Sequence, residues 1–436
     1  MPGTVNTDSF YIANNSMYGG FNGTEVLISQ RNVPSNPTLL SGYLVGGSNS
    51  AHVIRKTTAS AAVLDGFMVV GGAAVGDTGG AIDCDAGSMV IRNCTFTNNT
   101  STTNGGAIYF NSANAVHTIS NCVFIANTAD GCGGAVYQNT GGSIRFYDCE
   151  FTTNQANANV ANTDGGGAVW IHQTGNPSPE FVRCRFVSNV VVCYGGAVFL
   201  RGGTGHALFR TCDFIGNTSI TNDTAHGAGA LYLDTPTAGI EDCLFSNNVA
   251  AYAAGAIMVG NPNPGNIVTI SNSVFTGNIA QNNGGGAIRS GPGSGKGNTF
   301  RVYGTLFRQN KAMTTAGDGG AVMVRSHTDG TNIFDGCTFE GNENTEAADG
   351  GAVNMLAGYF EFRGCDFVSN TSAGLGGAIS LTSAGMHLVK NCGFKHNRST
   401  RAVGTVPRGG GAFFLNKSTA TAALENCTFF TNSAVY

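Results

Sequence analysis

The chain has little charge. Of 436 residues, Lys and Arg number 22 and Asp and Glu 26, so charged residues are only 11% of the whole. No basic stripe is available to neutralise a phosphate backbone, which argues against nucleic acid as a partner. No apolar run reaches the ~18 residues that a bilayer-spanning helix requires. The start, Met1 to Phe10, lacks both the charged region and the apolar run of a secretory leader. A mature or truncated form of an exported protein fits that start. Helical periodicity is absent, and glycine pairs recur throughout, which excludes long helices. Tryptophan occurs once. Apolar residues nevertheless make up 42%, too many for a disordered glycine-rich chain.

What fills the sequence instead is a repeat. The pattern Phe-x-x-Asn recurs twelve times, from Phe96/Asn99 to Phe429/Asn432, with successive Asn positions 27 to 35 residues apart. It alternates with a small-small-Ala element, Gly-Gly-Ala in ten cases from Gly79-Gly80-Ala81 to Gly410-Gly411-Ala412. The two variants are Ala228-Gly229-Ala230 and Ala254-Gly255-Ala256. Periods of this length mark a stacked-repeat architecture, which has no globular size ceiling.

Within each repeat a Cys lies two residues before the Phe, at positions 94, 122, 149, 184, 212, 243, 337, 365, 392 and 427, with Ser273 and Thr305 in the remaining two. Three residues before that position is an apolar side chain, such as Ile91, Ile119 or Phe146. An offset of three breaks strand parity, so a bend is expected between the two, at residues such as Asn93, Asn121 and Asp148 that tolerate left-handed backbone. Positions one and three after the repeat Ala are mostly apolar and read as a second inward-facing strand. Short strands, bends and one repeat per turn predict an all-β fold. Its form is a right-handed single-stranded parallel β-helix of about 12–14 rungs, with the Asn residues stacked in a ladder. Residues 1–66 read as a lead-in segment with the first coils, and 67–436 as the repetitive β-helix continuous with it.

The cysteine spacing leaves three readings open: a reduced interior ladder, inter-rung disulfides or metal. Ser and Thr substitute sterically but make neither bridge nor thiolate, which favours the first. Rungs ~4.8 Å apart lie within disulfide range, but parallel Cβ vectors are a poor geometry for a bridge.

Alternating Gly-Gly-Ala-Ile/Val and Phe-x-x-Asn over residues 79–432 resembles the repeats of chlamydial polymorphic outer-membrane proteins and related bacterial secreted right-handed β-helix proteins. Tyr18-Gly19-Gly20-Phe21-Asn22-Gly23-Thr24-Glu25 and Leu64-Asp65-Gly66-Phe67 are similar to the lead-in coils of such proteins. The resemblance implies an extracellular or cell-surface protein, commonly an adhesin or passenger domain. Those proteins end in a membrane β-barrel, whereas the sequence here stops at Tyr436 in mid-coil. Neither end shows an amphipathic capping helix. A longer precursor, or pairing of open ends with neighbouring copies into a filament, is therefore expected.

Parallel β-helices also host polysaccharide lyases and hydrolases, which need converging carboxylates. Asp77, Asp130, Asp164, Asp318 and Asp349 sit near the Gly-Gly turns on scattered rungs, where turn preference explains them. Asn162-Thr163-Asp164 resembles one element of polygalacturonase-type sites, without its companion motifs. His206 and His226 show no partner arrangement. The reading is a non-enzyme with no catalytic residues, metal or cofactor; a carbohydrate-active enzyme or a glycan-binding module is the alternative.

Two residues after the repeat Ala, parity points outward, and five successive rungs are aromatic there: Tyr109, Tyr137, Trp170, Phe199 and Tyr232. An exposed strip of this kind would bind surface glycans, host proteins or a second copy of the chain. The alternative is a ladder that stabilises neighbouring rungs or lies under a loop. Eleven Asn-x-Ser/Thr sequons occur, of which Asn14, Asn22, Asn222 and Asn416 are glycosylation candidates. Asn99, Asn217, Asn370 and Asn397 double as ladder residues, which argues against sugar there.

Overall fold

The computed structural model describes residues 7–435 except 46, 159–164, 173–174, 176–177, 221–226, 236, 261–266, 292–298, 314–318, 326–330, 347, 401–408 and 416–419. The chain divides into two compact units. The first comprises Met1–Val192 and Ala197–Leu208, the second Cys193–Gly196 and Phe209–Tyr436.

Both units are built from the same coil. In the first unit one coil runs through the strands Ile108–Phe110, Val116–Ser120, Val123–Ile125 and Thr128–Ala129. We call these the first to fourth strands of a coil, and the sheets they form the first to fourth sheets. The next coil stacks on it in parallel, with Ile108 opposite Val136, Ile119 opposite Phe146, Phe124 opposite Phe151 and Thr128 opposite Gln155. The second unit repeats the scheme, with Leu231 opposite Ile257, Ile240 opposite Ile270, Phe245 opposite Phe275 and Val249 opposite Ile279. Among the described residues the one helical turn is Ile28–Gln30. The all-β parallel solenoid expected from the repeat is the observed fold.

The bends fall where strand parity demands them. Each residue before the Cys position is left-handed: Asn93, Asn121, Asp148, Arg183, Thr211, Asp242, Asn272, Asn391 and Asn426 have φ between 49° and 54°. Glycine takes the same place at 304, 336 and 364. A second left-handed residue precedes each ladder Asn, including Ala126 and Thr153 at φ 52° and 54°. Such residues cost about 1 kcal/mol or more each and persist because the stacked coils over-determine them.

Inside, like stacks on like. Rings Phe96, Phe124, Phe151 and Phe186 lie 4.7–4.9 Å apart and nearly parallel. In the second unit the rings from Phe214 to Phe429 stack in the same way, 4.7–5.0 Å apart. Offset stacking of this kind adds roughly 0.5–1.5 kcal/mol per pair beyond burial. Beside the rings runs the asparagine ladder. Asn99 Nδ2 donates to Asn127 Oδ1 at 3.0 Å, and Asn127 to Asn154 likewise. Each amide nitrogen also donates to a carbonyl one coil back, as Asn127 does to Phe96 O at 3.0 Å. Asn99, Asn217, Asn370 and Asn397 are fully buried in this ladder, so their sequons are committed to structure.

All thirteen cysteines are free thiols; twelve are buried and Cys427 is half-buried. Their hydrogen bonds explain the Ser and Thr replacements. Cys243 Sγ donates to Glu241 O at 3.2 Å and accepts from Cys212 N at 3.4 Å. Ser273 Oγ does the same, donating to Ser271 O at 2.9 Å and accepting from Cys243 N at 3.1 Å. The position calls for a small group that both donates and accepts at the bend, whatever its redox chemistry.

The four sheets are not equivalent. Third strands alternate half-exposed, buried, half-exposed, whereas first strands such as Val136–Gln138, Val322–Val324 and Val353–Met355 are buried at every residue. A parallel sheet covered on both faces shows this pattern.

Candidate functional site

Burial of the first sheet corrects the expected exposed strip. Tyr137, Trp170, Phe199 and Tyr232 are only 8%, 2%, 1% and 6% exposed, and Tyr109 is half-buried. The side chains do form a column. Tyr109 stacks on Tyr137 at 5.5 Å, Tyr137 on Trp170 at 4.3 Å, and Phe199 meets Trp170 edge-on at 6.1 Å. Their faces are hidden by one another and by the turns that lead into each first strand. The Gly133 α-carbon lies so close that an added Cβ would be 3.1 Å from Tyr137 Cβ. In the second unit the Tyr194 ring sits 5.0 Å from Tyr232, and Tyr252 covers Arg289 at 5.8 Å. Strand parity gives the direction of a side chain but not what lies over it.

The same column, followed back toward the N-terminus, opens to solvent. Tyr11 stands opposite Arg55, Arg55 opposite Asp83, and Asp83 opposite Tyr109. Tyr11 is 65% exposed. Arg55 Nη2 donates to Asp83 Oδ2 at 3.0 Å and lies 3.7 Å from Asp85 Oδ2. Asp83 is buried while Asp85 is 44% exposed at its side chain. Burial pushes the Asp83 carboxyl up, against the pull of His52, and the charge of Asp85 adds to the rise. Burial also raises the Tyr109 hydroxyl, as do the charges of Asp83 and Asp85, while the nearby Asn139 side chain pulls the other way. Asn139 Nδ2 in turn donates to Asn111 Oδ1 at 3.0 Å. To one side, buried His52 bridges Gly79 O at 3.0 Å and Asp77 Oδ2 at 3.2 Å. The site therefore combines an exposed aromatic ring, a guanidinium and carboxylates in distinct environments at rung spacing.

Sequence reading missed most of this site. Asp83 obeys the rule that picked out Tyr109, lying two residues after Ala81. Tyr11 and Arg55 belong to lead-in coils without a Gly-Gly-Ala marker, so nothing local reveals their register.

A second feature is the anchoring of the lead-in segment. Fully buried Asp65 accepts from Arg31, from Arg92 Nε at 2.6 Å and from Asn93 Nδ2 at 2.7 Å. Burial opposes its ionisation, but these three donors outweigh it and hold the carboxyl below its ordinary range. Arg31 also lies 5.4 Å from the Tyr18 ring. A cavity of about 1000 Å³ lies alongside, between residues 28–34 and the outer side of Met68, Thr95 and Val123. Both guanidinium groups facing it are already paired with Asp65.

The remaining candidates scatter. Asp77 Oδ1 accepts from Thr78 N at 2.9 Å within its turn, Asp349 Oδ1 accepts from Leu375 N of the next coil at 2.8 Å, and Asp130 is exposed. Asp164, Asp318, His226, Asn222 and Asn416 lie outside the described residues. Asn14 and Asn22 are exposed, and Asn22 Oδ1 accepts from Thr24 Oγ1 at 2.6 Å within its sequon. Among the described residues no cluster of three or more His, Cys, Asp or Glu is arranged to hold a metal, and no helix is long and apolar enough to cross a membrane.

Comparison with known proteins agrees with the coil. The family described as right handed beta helix region matches residues 304–436, and the Chlamydia polymorphic membrane protein repeat matches residues 93–111. The chain is 30% identical over 127 residues to the probable autotransporter YfaL of Escherichia coli (strain K12). That match covers 28% of this chain and 10% of the relative, so the chain spans a small part of the relative's length. No solved structure matches. Repeat, register and these matches together identify a parallel β-solenoid whose coils are similar to the repeats of chlamydial polymorphic membrane proteins.

Proposed function

We propose that the chain is a surface-exposed or secreted β-solenoid acting as a non-catalytic structural and adhesive element. The observation that carries this reading is the division of labour within a coil. The recurring Phe, Asn, Cys and Gly-Ala residues are consumed by contacts between coils. Outward positions on the second and third sheets vary, and they join coils through exposed ion pairs such as Arg210–Glu241 at 2.8 Å and Arg308–Glu340 at 2.9 Å. Exposed pairs of this kind contribute little stability, so such faces are free to diversify for recognition. The likeness to a protein named as an autotransporter supports export. On this reading Asn14 and Asn22, both exposed, are candidates for glycosylation.

Attachment of beads coated with the purified chain to cells and to matrix-coated surfaces tests adhesion. Beads that settle no faster than albumin-coated controls would remove it. The filament version holds that copies pair edge to edge at coil ends. Light scattering over a hundredfold concentration range decides that point, since a constant monomer mass refutes it. The enzyme alternative predicts shortening of neutral or acidic polysaccharides in size-exclusion profiles, and unchanged profiles favour the proposal.

A further inference from the structure

We infer that the outward face formed by Tyr11, Arg55, Asp83, Asp85 and Tyr109 is a binding site for a neutral, hydroxyl-rich oligosaccharide. The inference rests on the adhesive reading and names the ligand class of one face. Three observations carry it.

The first is the exposed aromatic ring. Tyr11 is 65% exposed on a strand whose register against Arg55 is fixed by the sheet. An exposed tyrosine ring offers the apolar face of a pyranose a packing surface and carries a hydroxyl at its edge.

The second is the polar set beside it. Arg55 and Asp85 are planar groups with side-chain exposures of 32% and 44%, and their mutual contact of 3.7 Å is too long to use up the carboxylate lone pairs. Asp85 can accept from sugar hydroxyls while Arg55 donates to ring and hydroxyl oxygens. Tyr109, half-buried, closes the far side before the column becomes fully buried at Tyr137.

The third is charge. The Arg55 cation is matched by Asp83, which leaves Asp85, and Asp77 at the flank, as the exposed charges of the face. A uronate or sulfated glycan would be repelled here, whereas a neutral sugar would not. Successive rungs stand ~4.8 Å apart, close to the length of one pyranose unit. A linear chain lying along the column would meet Tyr11, then the Arg55–Asp85 pair, then the half-buried Tyr109, with Asp83 buried beneath Arg55.

The test is calorimetric titration of the full chain with neutral hexasaccharides (β-glucan, α-glucan, mannan and galactan types) and with hexagalacturonate. At least one neutral probe should bind, and hexagalacturonate should bind more weakly than that probe. Tyr11→Ala and Asp85→Asn should each weaken binding about tenfold or more. Tyr359→Ala, which removes an exposed tyrosine of the second unit, should leave it unchanged. Tyr11 and Asp85 are exposed, so circular dichroism should show both variants folded. Binding of none of the neutral probes, preference for the uronate, or wild-type affinity in both site variants would overturn the site. Bead adhesion that survives such a result would leave the adhesive reading standing, so the two ideas fail separately.

Discussion

Truncation of one rung of the asparagine ladder, Asn310→Ala, tests the scaffold most directly. Asn310 is fully buried inside the second unit. Its Oδ1 accepts from Asn278 N at 3.1 Å and from Asn278 Nδ2 at 2.9 Å. Its Nδ2 donates to Phe275 O at 2.9 Å and to Asn342 Oδ1 at 3.0 Å. Alanine would orphan two buried donors on Asn278, while Asn342 Oδ1 would keep its bond from Asn310 N at 3.0 Å. An unsatisfied buried donor costs ~1–3 kcal/mol, so two should cost about 2–6 kcal/mol. Stacked repeats open locally, which makes amide exchange the suitable assay. Exchange at Asn278 and at the adjacent coils should quicken at least thirtyfold, roughly the lower bound of that energy. The control is Asn432→Ala at the last rung, where the side chain is half-buried and water can replace the lost bonds. Its effect should stay below about 1 kcal/mol. Equal effects at the two rungs, or an Asn310→Ala effect below 1 kcal/mol, would refute the ladder as a source of stability.

Three further outcomes are expected. His117 is fully buried against Phe110 at 3.8 Å, and burial lowers its pKa from 6.5 to about 3. The folded state therefore favours the neutral ring: its contribution is complete above pH 6.5 and is lost as pH falls toward 3. That loss is about 3 kcal/mol between pH 7 and pH 4, and His117→Leu should flatten denaturant midpoints over this window. Native thiol labelling should modify Cys427 alone at first, with the twelve buried thiols reacting only on unfolding; prompt labelling of several cysteines would contradict the buried ladder. Trp170→Ala should destabilise the first unit by ~3–5 kcal/mol, since the ring is buried against Tyr137. A stable variant that lost only ligand binding would restore the exposed-strip reading.

Much of the fold is legible in the sequence because its determinants are local and repeated. The offset of three between Ile119 and Cys122 demands a bend, and Asn121 supplies it at φ 50°. The two-residue step from Cys122 to Phe124 keeps both inside, and the next Phe at 151 lands in register. Ser273 and Thr305 in the Cys position indicate that redox chemistry is dispensable there, and their hydrogen bonds show what the position does. The candidate site is far less legible. Tyr11 and Arg55 lie 44 positions apart along the unmarked lead-in, and only the pairing of their strands sets them side by side.

The sequence by itself thus determines the period, the rung register and the inward set of Phe, Cys and Asn, because each follows from strand parity and spacing along the chain. Tertiary structure alone decides which outward positions meet water. The turn that leads into its own strand lies against Tyr137, and Tyr194 packs on Tyr232, while Tyr11 is 65% exposed. The direction of a side chain is a property of its own backbone, but its exposure depends on whatever else the fold places above it.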